Sequence, residues 1–370
     1  MLSGRFGLRL PTWAPTPSRA SLLALVAMLF LALGPPAAAQ QRSDCGGLSR
    51  PIVFGDLDWE SAEVANWIAR LILEAGFGCA TTAIPGSVVP IYQGAVRGDV
   101  DVIMEVWTDN VPELWTEALA AGRVEQVAVA FDDAVQGWFV PRYLVEGDPA
   151  RGIAALAPEL RSVFDLPRYA GLFRDPEQPD KGRFYNCVIG WQCELINGVK
   201  LHAYGLTEHF TNFHAGTGVA LAASLEGAYR RGEAWVGYYW GPTWVLGELD
   251  LLLLDEPDFD LACWQEFTAL VDTPQAAERA CAYPTSTAVV ALGSRFKDEA
   301  PAPLRAFLTA YRGSNQLLSE ALAYMNANAA EPQEAARHFL ASQPAVWSDW
   351  LDAETAAKVA AVFGAKLGAP

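Results

Sequence analysis

Basic residues are scarce in this chain, and the imbalance excludes several kinds of partner. Lysine and arginine number 26 against 43 aspartates and glutamates, which gives a formal net charge of −17 at pH 7. An acidic surface repels nucleic acid and anionic lipid, because both carry dense negative charge. We therefore expect no nucleic-acid partner. The charge mildly favours cationic ligands, although solubility alone also explains it.

Metal-ligand patterns and catalytic motifs are equally sparse. The chain has four histidines, and its six cysteines include no Cys-x-x-Cys spacing of the kind that binds zinc. There is no Gly-x-Ser-x-Gly motif, and the Ser-x-x-Lys match at residues 294–297 lacks the partner motifs of β-lactamase-like enzymes. We expect no metal, no cofactor and no enzymatic activity.

Beyond the N-terminus, apolar runs of membrane-spanning length, about 20 residues, are absent. The short apolar run at residues 21–34 follows Arg5, Arg9 and Arg19 and precedes an alanine-rich stretch that ends at Ala39. A basic start, a short apolar run and an Ala-x-Ala site are typical of a secretory signal peptide. We predict that residues 1–39 are a signal peptide and that the mature protein is periplasmic.

All six cysteines follow this leader, and an even number in an exported chain favours disulfides. One pair lies only six positions apart, and the other two are predicted from proximity along the chain. The predicted disulfides are Cys187–Cys193, Cys45–Cys79 and Cys263–Cys281.

From Pro51 onward, short apolar strands alternate with amphipathic helices. Ser61 and Asn110 are predicted helix N-caps, because each precedes a helical pattern. Alternation of this kind indicates parallel βαβ units. The pattern repeats over residues 143–282, and the tail is helical. We predict two α/β lobes joined by crossing segments near 136–141 and 283–287.

Tryptophan is unusually abundant, with 13 residues. Those within helix or strand patterns are explained by core packing: Trp67, Trp115, Trp235, Trp244, Trp264, Trp347 and Trp350. Five others lie at strand ends, in a crossing segment or in the disulfide loop: Trp59, Trp107, Trp138, Trp191 and Trp240. Ligands of open α/β sheets bind beyond the carboxyl ends of the strands. Several aromatic faces together hold a quaternary ammonium group, so the sequence predicts a cage for a methylated cation.

Five segments, in order, resemble the periplasmic glycine betaine, proline betaine and choline binding proteins of ABC importers: GDVDVIMEVWTDN, QGWFVPRYL, NCVIGWQCE, AYGL and GYYWGPTWV. The resemblance covers residues 52–351. It implies the α/β fold of type II periplasmic binding proteins, with two lobes, each a mixed or parallel sheet flanked by helices, and the ligand in the cleft between them. Lobe I would comprise residues 46–137 and 284–370, and lobe II residues 138–283.

The resemblance also implies roles for individual residues. Trp107, Trp191 and Trp240 match the cage of the most similar binding proteins. Trp59, with Asp58 or Glu60 beside it, matches a tryptophan that takes part in choline-preferring relatives. The remaining predicted ligand-binding residues are Trp138 at the hinge, where relatives often have tyrosine, and Gln192 and Cys193, whose backbone N–H groups would receive a ligand carboxylate. An ABC permease in the inner membrane would be the partner.

One stretch departs from the family pattern. Some betaine binders carry a histidine a few residues after the Trp107 position, whereas residues 108–111 here read TDNV. Asp109 and Glu105 would disfavour a carboxylate if either points inward. We predict a small quaternary ammonium ligand, such as glycine betaine or choline, or a related methylated amine such as trimethylamine N-oxide. The alternatives are an exported binding protein for another amine, an amino acid or a sugar, and a secreted hydrolase.

Overall fold

A computed structural model describes residues 45–367. The predicted signal peptide, residues 1–39, lies outside this part of the chain. None of the helices between residues 45 and 367 has the length and hydropathy needed to span a bilayer.

The described residues form ten strands and fifteen α-helices. The strands are β1 (Ile52–Leu57), β2 (Thr81–Gly86), β3 (Val102–Trp107), β4 (Val124–Ala134), β5 (Gln136–Pro141), β6 (Gly182–Asn186), β7 (Phe210–His214), β8 (Gly237–Trp240), β9 (Leu251–Leu253) and β10 (Ser286–Gly293). The helices are α1 (Glu60–Phe77), α2 (Val88–Arg97), α3 (Pro112–Ala120), α4 (Tyr143–Glu146), α5 (Leu166–Tyr169), α6 (Gln192–Ala203), α7 (Gly218–Arg231), α8 (Trp244–Glu248), α9 (Leu261–Thr268), α10 (Phe296–Glu299), α11 (Ala302–Ala310), α12 (Asn315–Asn328), α13 (Pro332–Ser342), α14 (Pro344–Trp347) and α15 (Ala353–Phe363).

The first sheet has the strand order β2-β1-β3-β10-β4. β1 pairs in parallel with β2 and β3, whereas β10 pairs antiparallel with β3 and β4. The parallel strands are joined by α1 and α2, as the βαβ pattern predicts. β3 lies at the centre and is buried along its whole length. The sheet is therefore mixed, and the carboxyl ends of β1 and β3 meet at one edge.

The second sheet has the strand order β7-β6-β8-β5-β9. β6 pairs in parallel with β7 and β8, and β5 pairs antiparallel with β8 and β9. The chain enters this sheet between Ala134 and Gln136 and is back in the first sheet at Ser286. The predicted lobe boundary at 137/138 falls inside β5. The division of the chain into lobes stays a prediction.

The start of α1 differs from its predicted start. The helix begins at Glu60, with Trp59 in the N-cap position, so the predicted N-cap Ser61 is wrong. The Ser61 hydroxyl instead donates to Glu105 Oε1 at 3.0 Å. This hydrogen bond ties the first turn of α1 to the central strand β3, which contains Glu105.

Two of the predicted disulfides are present. Cys45–Cys79 joins the segment before β1 to the segment after α1, and Cys187–Cys193 closes the loop between β6 and α6. The first link lies just before β2, and the second lies at the start of α6.

The third predicted disulfide is wrong in this structure, because Cys263 and Cys281 are buried thiols. The Cys281 thiol donates to the Asp260 carbonyl oxygen at 3.7 Å. Burial also raises the pKa of Cys263 to about 12.

Candidate functional site

A cavity lies where strands of the two sheets end. Its aromatic wall consists of Trp59, Tyr92, Trp107, Trp191, Tyr238 and Trp240. The other lining residues are Val88, Asn110, Gln136, Gln192 and Cys193. The four indoles are 7, 7, 5 and 8% exposed in chain order, so the cleft is closed over them.

Strand ends bring the indoles together. Trp59 follows β1 and Trp107 ends the parallel neighbour β3, which places both rings at one edge of the first sheet. Trp240 ends β8 in the second sheet, and Trp191 is the N-cap residue of α6. The cage is thus built from four separate segments and both sheets.

Trp191 is the central ring of this cage. Its centroid lies 5.6 Å from that of Trp59 and 5.1 Å from that of Trp240, with interplanar angles of 74° and 89°. Such edge-to-face pairs are the favoured geometry of aromatic rings. Its indole N–H donates to Asp58 Oδ1 at 2.7 Å. Since Asp58 follows β1, this bond links the two sides of the cleft.

The disulfide loop fixes where Trp191 stands. Asn186 Oδ1 accepts from the Cys187 N–H at 2.7 Å and from Asn197 Nδ2 at 2.9 Å, which anchors the loop to α6. Gly190 has φ of +99°, and a Cβ there would lie 3.1 Å from Ser87 Cβ at the start of α2. Only glycine meets both conditions without strain.

A buried carboxylate lies behind two of the rings. Glu105 Oε1 accepts the indole N–H of Trp59 at 2.7 Å and that of Trp107 at 2.8 Å. Glu105 is 1% exposed, and burial raises its pKa to about 7, against the lowering effect of these donors and Ser61. Its other oxygen, Oε2, has no hydrogen-bond partner among the described residues.

A polar network forms another part of the wall. Gln136 Oε1 accepts from Tyr238 Oη at 2.8 Å and from Asn110 Nδ2 at 3.2 Å, while Gln136 Nε2 donates to Ser286 Oγ at 2.8 Å. Asn110 is therefore a wall residue, and its predicted role as N-cap of α3 is wrong, because Val111 occupies that position.

Gln192 and Cys193 line the cavity as the first two residues of α6. The backbone N–H groups at the first positions of a helix have no acceptor within the helix. With the helix dipole, such groups favour an oxygen or a negative charge near a helix N-terminus. The cavity wall thus combines ring faces with polar donors.

Acidic residues gather beside the cage. Asp58, Glu60 and Glu63 line an adjoining cavity that shares Trp59, Trp191 and Trp240 with the cage. Burial, followed by nearby acidic groups, raises the pKa of Glu63 to about 7, and burial raises that of Glu60. The electrostatic surroundings therefore favour a cation.

Residues 50–342 match the family described as the substrate-binding domain of ABC-type glycine betaine transport systems. The chain belongs to this family. Members of the family are substrate-binding proteins rather than enzymes, as the resemblance of the sequence segments predicts.

Individual relatives are distant but match over most of their length. The chain is 22% identical over 306 residues to the trimethylamine N-oxide-binding protein of Pelagibacter ubique, covering 83% of this chain and 92% of that one. It is 23% identical over 273 residues to a glycine betaine-binding periplasmic protein of Dickeya dadantii, covering 72% of this chain and 78% of that one.

A solved structure confirms the predicted two-lobe fold. An ABC-transporter choline binding protein in complex with choline superposes with a TM-score of 0.65 at 17% identity, covering 86% of this chain and 99% of that chain. The predicted α/β architecture of two sheets flanked by helices is therefore correct.

The structure does not bring every predicted residue to the cavity. Trp138 is fully buried in the second lobe, where its indole N–H donates to Asn197 Oδ1 at 2.7 Å and its ring packs 4.4 Å from Phe184. It lies two residues further along β5 than Gln136 and is not among the residues that line the cavity. Its predicted contact with ligand is not supported. Asp58 lies in the adjoining cavity and orients Trp191.

Sequence reasoning missed Tyr92, Gln136, Tyr238 and the role of Glu105. Strand periodicity carries a signal for two of them, because residues two apart on a strand share a face. Glu105 precedes Trp107 by two positions, and Tyr238 precedes Trp240 by two. Tyr92 and Gln136 have no such signal, since contacts between elements bring them to the cleft.

Proposed function

We propose that this protein captures a small quaternary ammonium compound or related methylated amine in its tryptophan cage and delivers it to an ABC importer. The observation that carries the proposal is the closed box of Trp59, Trp107, Trp191 and Trp240 around one cavity. The protein is then a periplasmic receptor and not an enzyme, exported by its N-terminal signal peptide.

The chemistry of the cage supports a methylated ammonium group. Such a group cannot donate N–H hydrogen bonds, so ring faces suit it better than carbonyl oxygens do. Each cation–π contact contributes roughly 0.5–2 kcal/mol, depending on desolvation. Several rigid rings therefore support roughly micromolar binding. The rings are preorganised, which lowers the ordering cost.

The polar residues of the cavity wall offer hydrogen-bond partners to the polar end of the ligand. Choline has a hydroxyl, trimethylamine N-oxide an oxygen and glycine betaine a carboxylate. The amides of Gln192 and Cys193 and the network around Gln136 offer partners to each of them. The acidic group formed by Asp58, Glu60 and Glu63 favours a ligand without a carboxylate. We therefore place choline-like cations ahead of betaines.

Calorimetric titration of mature protein, unfolded to remove bound ligand and then refolded, tests this proposal. Choline, glycine betaine, trimethylamine N-oxide, carnitine and a neutral sugar are the ligands. We expect micromolar binding of at least one methylated amine. Trp191→Ala should raise its Kd at least about thirtyfold, since a desolvated cation–π contact and ring packing are both lost.

Trp67→Ala is the matched control, because Trp67 lies on α1 beside Arg70 and outside the cavity wall. It should leave the Kd unchanged. Heat with the sugar alone, or no heat with any amine from protein whose far-UV spectrum shows native folding, would refute the methylated-amine proposal and require another ligand class.

A further inference from the structure

Glu105 joins two cage rings through a single atom. Its Oε1 accepts the N–H of Trp59, which follows β1, and of Trp107, which ends β3. Both rings line the cavity and Glu105 does not, so this carboxylate acts on the ligand space through the rings that it holds. Neither ring turns without breaking its bond to Glu105.

We infer that Glu105 is a specificity-determining residue, which holds both rings at one angle and sets the preference of the cage for a net cation over a zwitterion. The inference rests on the proposed function. It assigns to Glu105 a buried counter-charge that acts through the rings.

Two physical effects carry this assignment. A hydrogen bond to an ionised acceptor is stronger than a neutral one and polarises its donor, which makes the indole faces of Trp59 and Trp107 more negative. The charge of Glu105 also acts directly on a ligand cation, because Glu105 is buried and buried charges are only weakly screened. Both effects strengthen attraction for a trimethylammonium group.

A zwitterion gains less from the same charge. Glycine betaine carries a carboxylate close to its ammonium group, and that carboxylate is repelled by Glu105 while the ammonium is attracted. Choline carries a hydroxyl instead and feels only attraction. Glu105 therefore acts on the ratio of the two affinities and not on both equally.

The groups that face Glu105 from each packed element are few. Ser61 Oγ of α1 donates to Oε1, while Tyr92 of α2 and Tyr311, after α11, are buried phenols whose pKa values are raised mainly by burial and also by the Glu105 charge. Glu63 belongs to the adjoining acidic cavity. Since burial raises the pKa of Glu105 to about 7, its charge is present above neutral pH and lost below it. Choline affinity should therefore rise as pH rises from 6 to 8.

The test compares wild-type protein with Glu105→Gln by calorimetry against choline and glycine betaine at pH 6, 7 and 8. Glutamine keeps an acceptor for both indoles but has no charge. At pH 8, we expect the choline Kd to rise about tenfold and the betaine Kd to change less than about threefold. Glu105→Ala, which removes the acceptor as well, should weaken both ligands.

Proton release gives a second readout that ring positioning alone would not change. A bound cation lowers the pKa of Glu105, so choline binding near pH 7 should release protons and its heat should depend on the buffer. This dependence should vanish in Glu105→Gln. If it persists there and vanishes in Glu63→Gln, the titrating charge belongs to the adjoining cavity and the inference is wrong.

The two proposals fail in different ways. If wild-type protein binds no methylated amine, the proposed function fails. If wild-type protein binds choline but Glu105→Gln leaves the choline-to-betaine ratio within about twofold of its wild-type value at pH 8, the inference about Glu105 fails alone. Circular dichroism and the melting temperature of Glu105→Gln establish that the variant is folded.

Discussion

At the scale of single residues, the position of the Trp191 ring depends on Gly218, which has no side chain. Gly218 begins α7, and a Cβ there would lie 3.1 Å from Trp191 Cη2. That separation is tighter than ordinary van der Waals contact, so either the ring or the helix must move. The Trp191 ring therefore packs directly against the backbone of Gly218.

Gly218→Ala should therefore weaken ligand binding several-fold, because it shifts Trp191 away from Trp59 and Trp240. Calorimetry with the best methylated amine measures the effect. Gly198→Ala is the matched control, since Gly198 lies within α6 and has nothing near its missing Cβ. That change should leave affinity unaltered and stabilise the helix by up to about 1 kcal/mol. Equal affinities of the two variants would contradict the claim that Gly218 positions the Trp191 ring.

Single-residue features were predictable where one side chain carries its own signal. Each cage tryptophan stands at a strand end or in a cysteine loop, and both positions are visible in the sequence. Gln136 is different, because it reaches the cavity through partners on three other segments: Asn110, Tyr238 and Ser286. The burial of Trp138 was not predictable for the same reason, since it follows from packing against Phe184, which no local sequence pattern indicates.

At the scale of elements, the disulfide loop and the start of α6 act as one unit. The loop carries Trp191, and α6 offers the N–H groups of Gln192 and Cys193. The hydrogen bonds of Asn186 with Asn197 Nδ2 and with the Glu194 carbonyl oxygen hold the two together independently of the disulfide. The disulfide therefore has its main effect on the precision of the cage and only a modest effect on folding.

Removing each disulfide should separate stability from affinity. Cys187→Ser with Cys193→Ser opens a link of sequence separation 6, whereas Cys45→Ser with Cys79→Ser opens one of 34. From loop-closure entropy, we expect losses of about 2 and about 4 kcal/mol in the free energy of unfolding, respectively. Only the first variant should bind ligand more weakly, because Cys45 and Cys79 are not among the cavity-lining residues.

Urea unfolding gives the stabilities, and calorimetry under conditions where each variant is folded gives the affinities. Weaker binding in the Cys45/Cys79 variant, with the Cys187/Cys193 variant unchanged, would reverse this assignment. The sequence predicted both links from proximity. It did not predict that Cys263 and Cys281 are buried thiols, because burial depends on tertiary packing.

At the scale of the whole molecule, the sequence predicted the alternation of strands and helices and the two crossings of the chain. It did not predict the antiparallel insertion of β10 between β3 and β4, since that pairing spans about half the chain. Long-range pairing leaves no local pattern. The contacts that close the cleft were not predictable from the sequence either, because they join residues that are far apart along the chain.

Besides the network around Gln136, hydrogen bonds of two tryptophans and a glutamine cross the cleft of the closed molecule. Trp191 Nε1 donates to Asp58 at 2.7 Å, and Trp264 Nε1 donates to the Asp109 carbonyl oxygen at 3.1 Å. Gln192 Nε2 makes a longer contact of 3.5 Å with the Asn110 carbonyl oxygen. Of these, the Trp191–Asp58 bond involves both a cage ring and a charged acceptor, which makes it the strongest.

Asp58→Ala should therefore shift the molecule toward its open form. Loss of a charge-assisted hydrogen bond costs roughly 1.5–3 kcal/mol, so we expect the ligand Kd to rise about tenfold or more, mainly through faster dissociation. Asp58→Asn keeps an acceptor for Trp191 and should lie between Asp58→Ala and wild type. Stopped-flow tryptophan fluorescence measures the dissociation rate, and small-angle scattering measures the radius of gyration with and without ligand. If Asp58→Ala releases ligand at the wild-type rate and compacts equally on binding, this bond does not hold the lobes together, and closure must depend on the ligand and the rings alone.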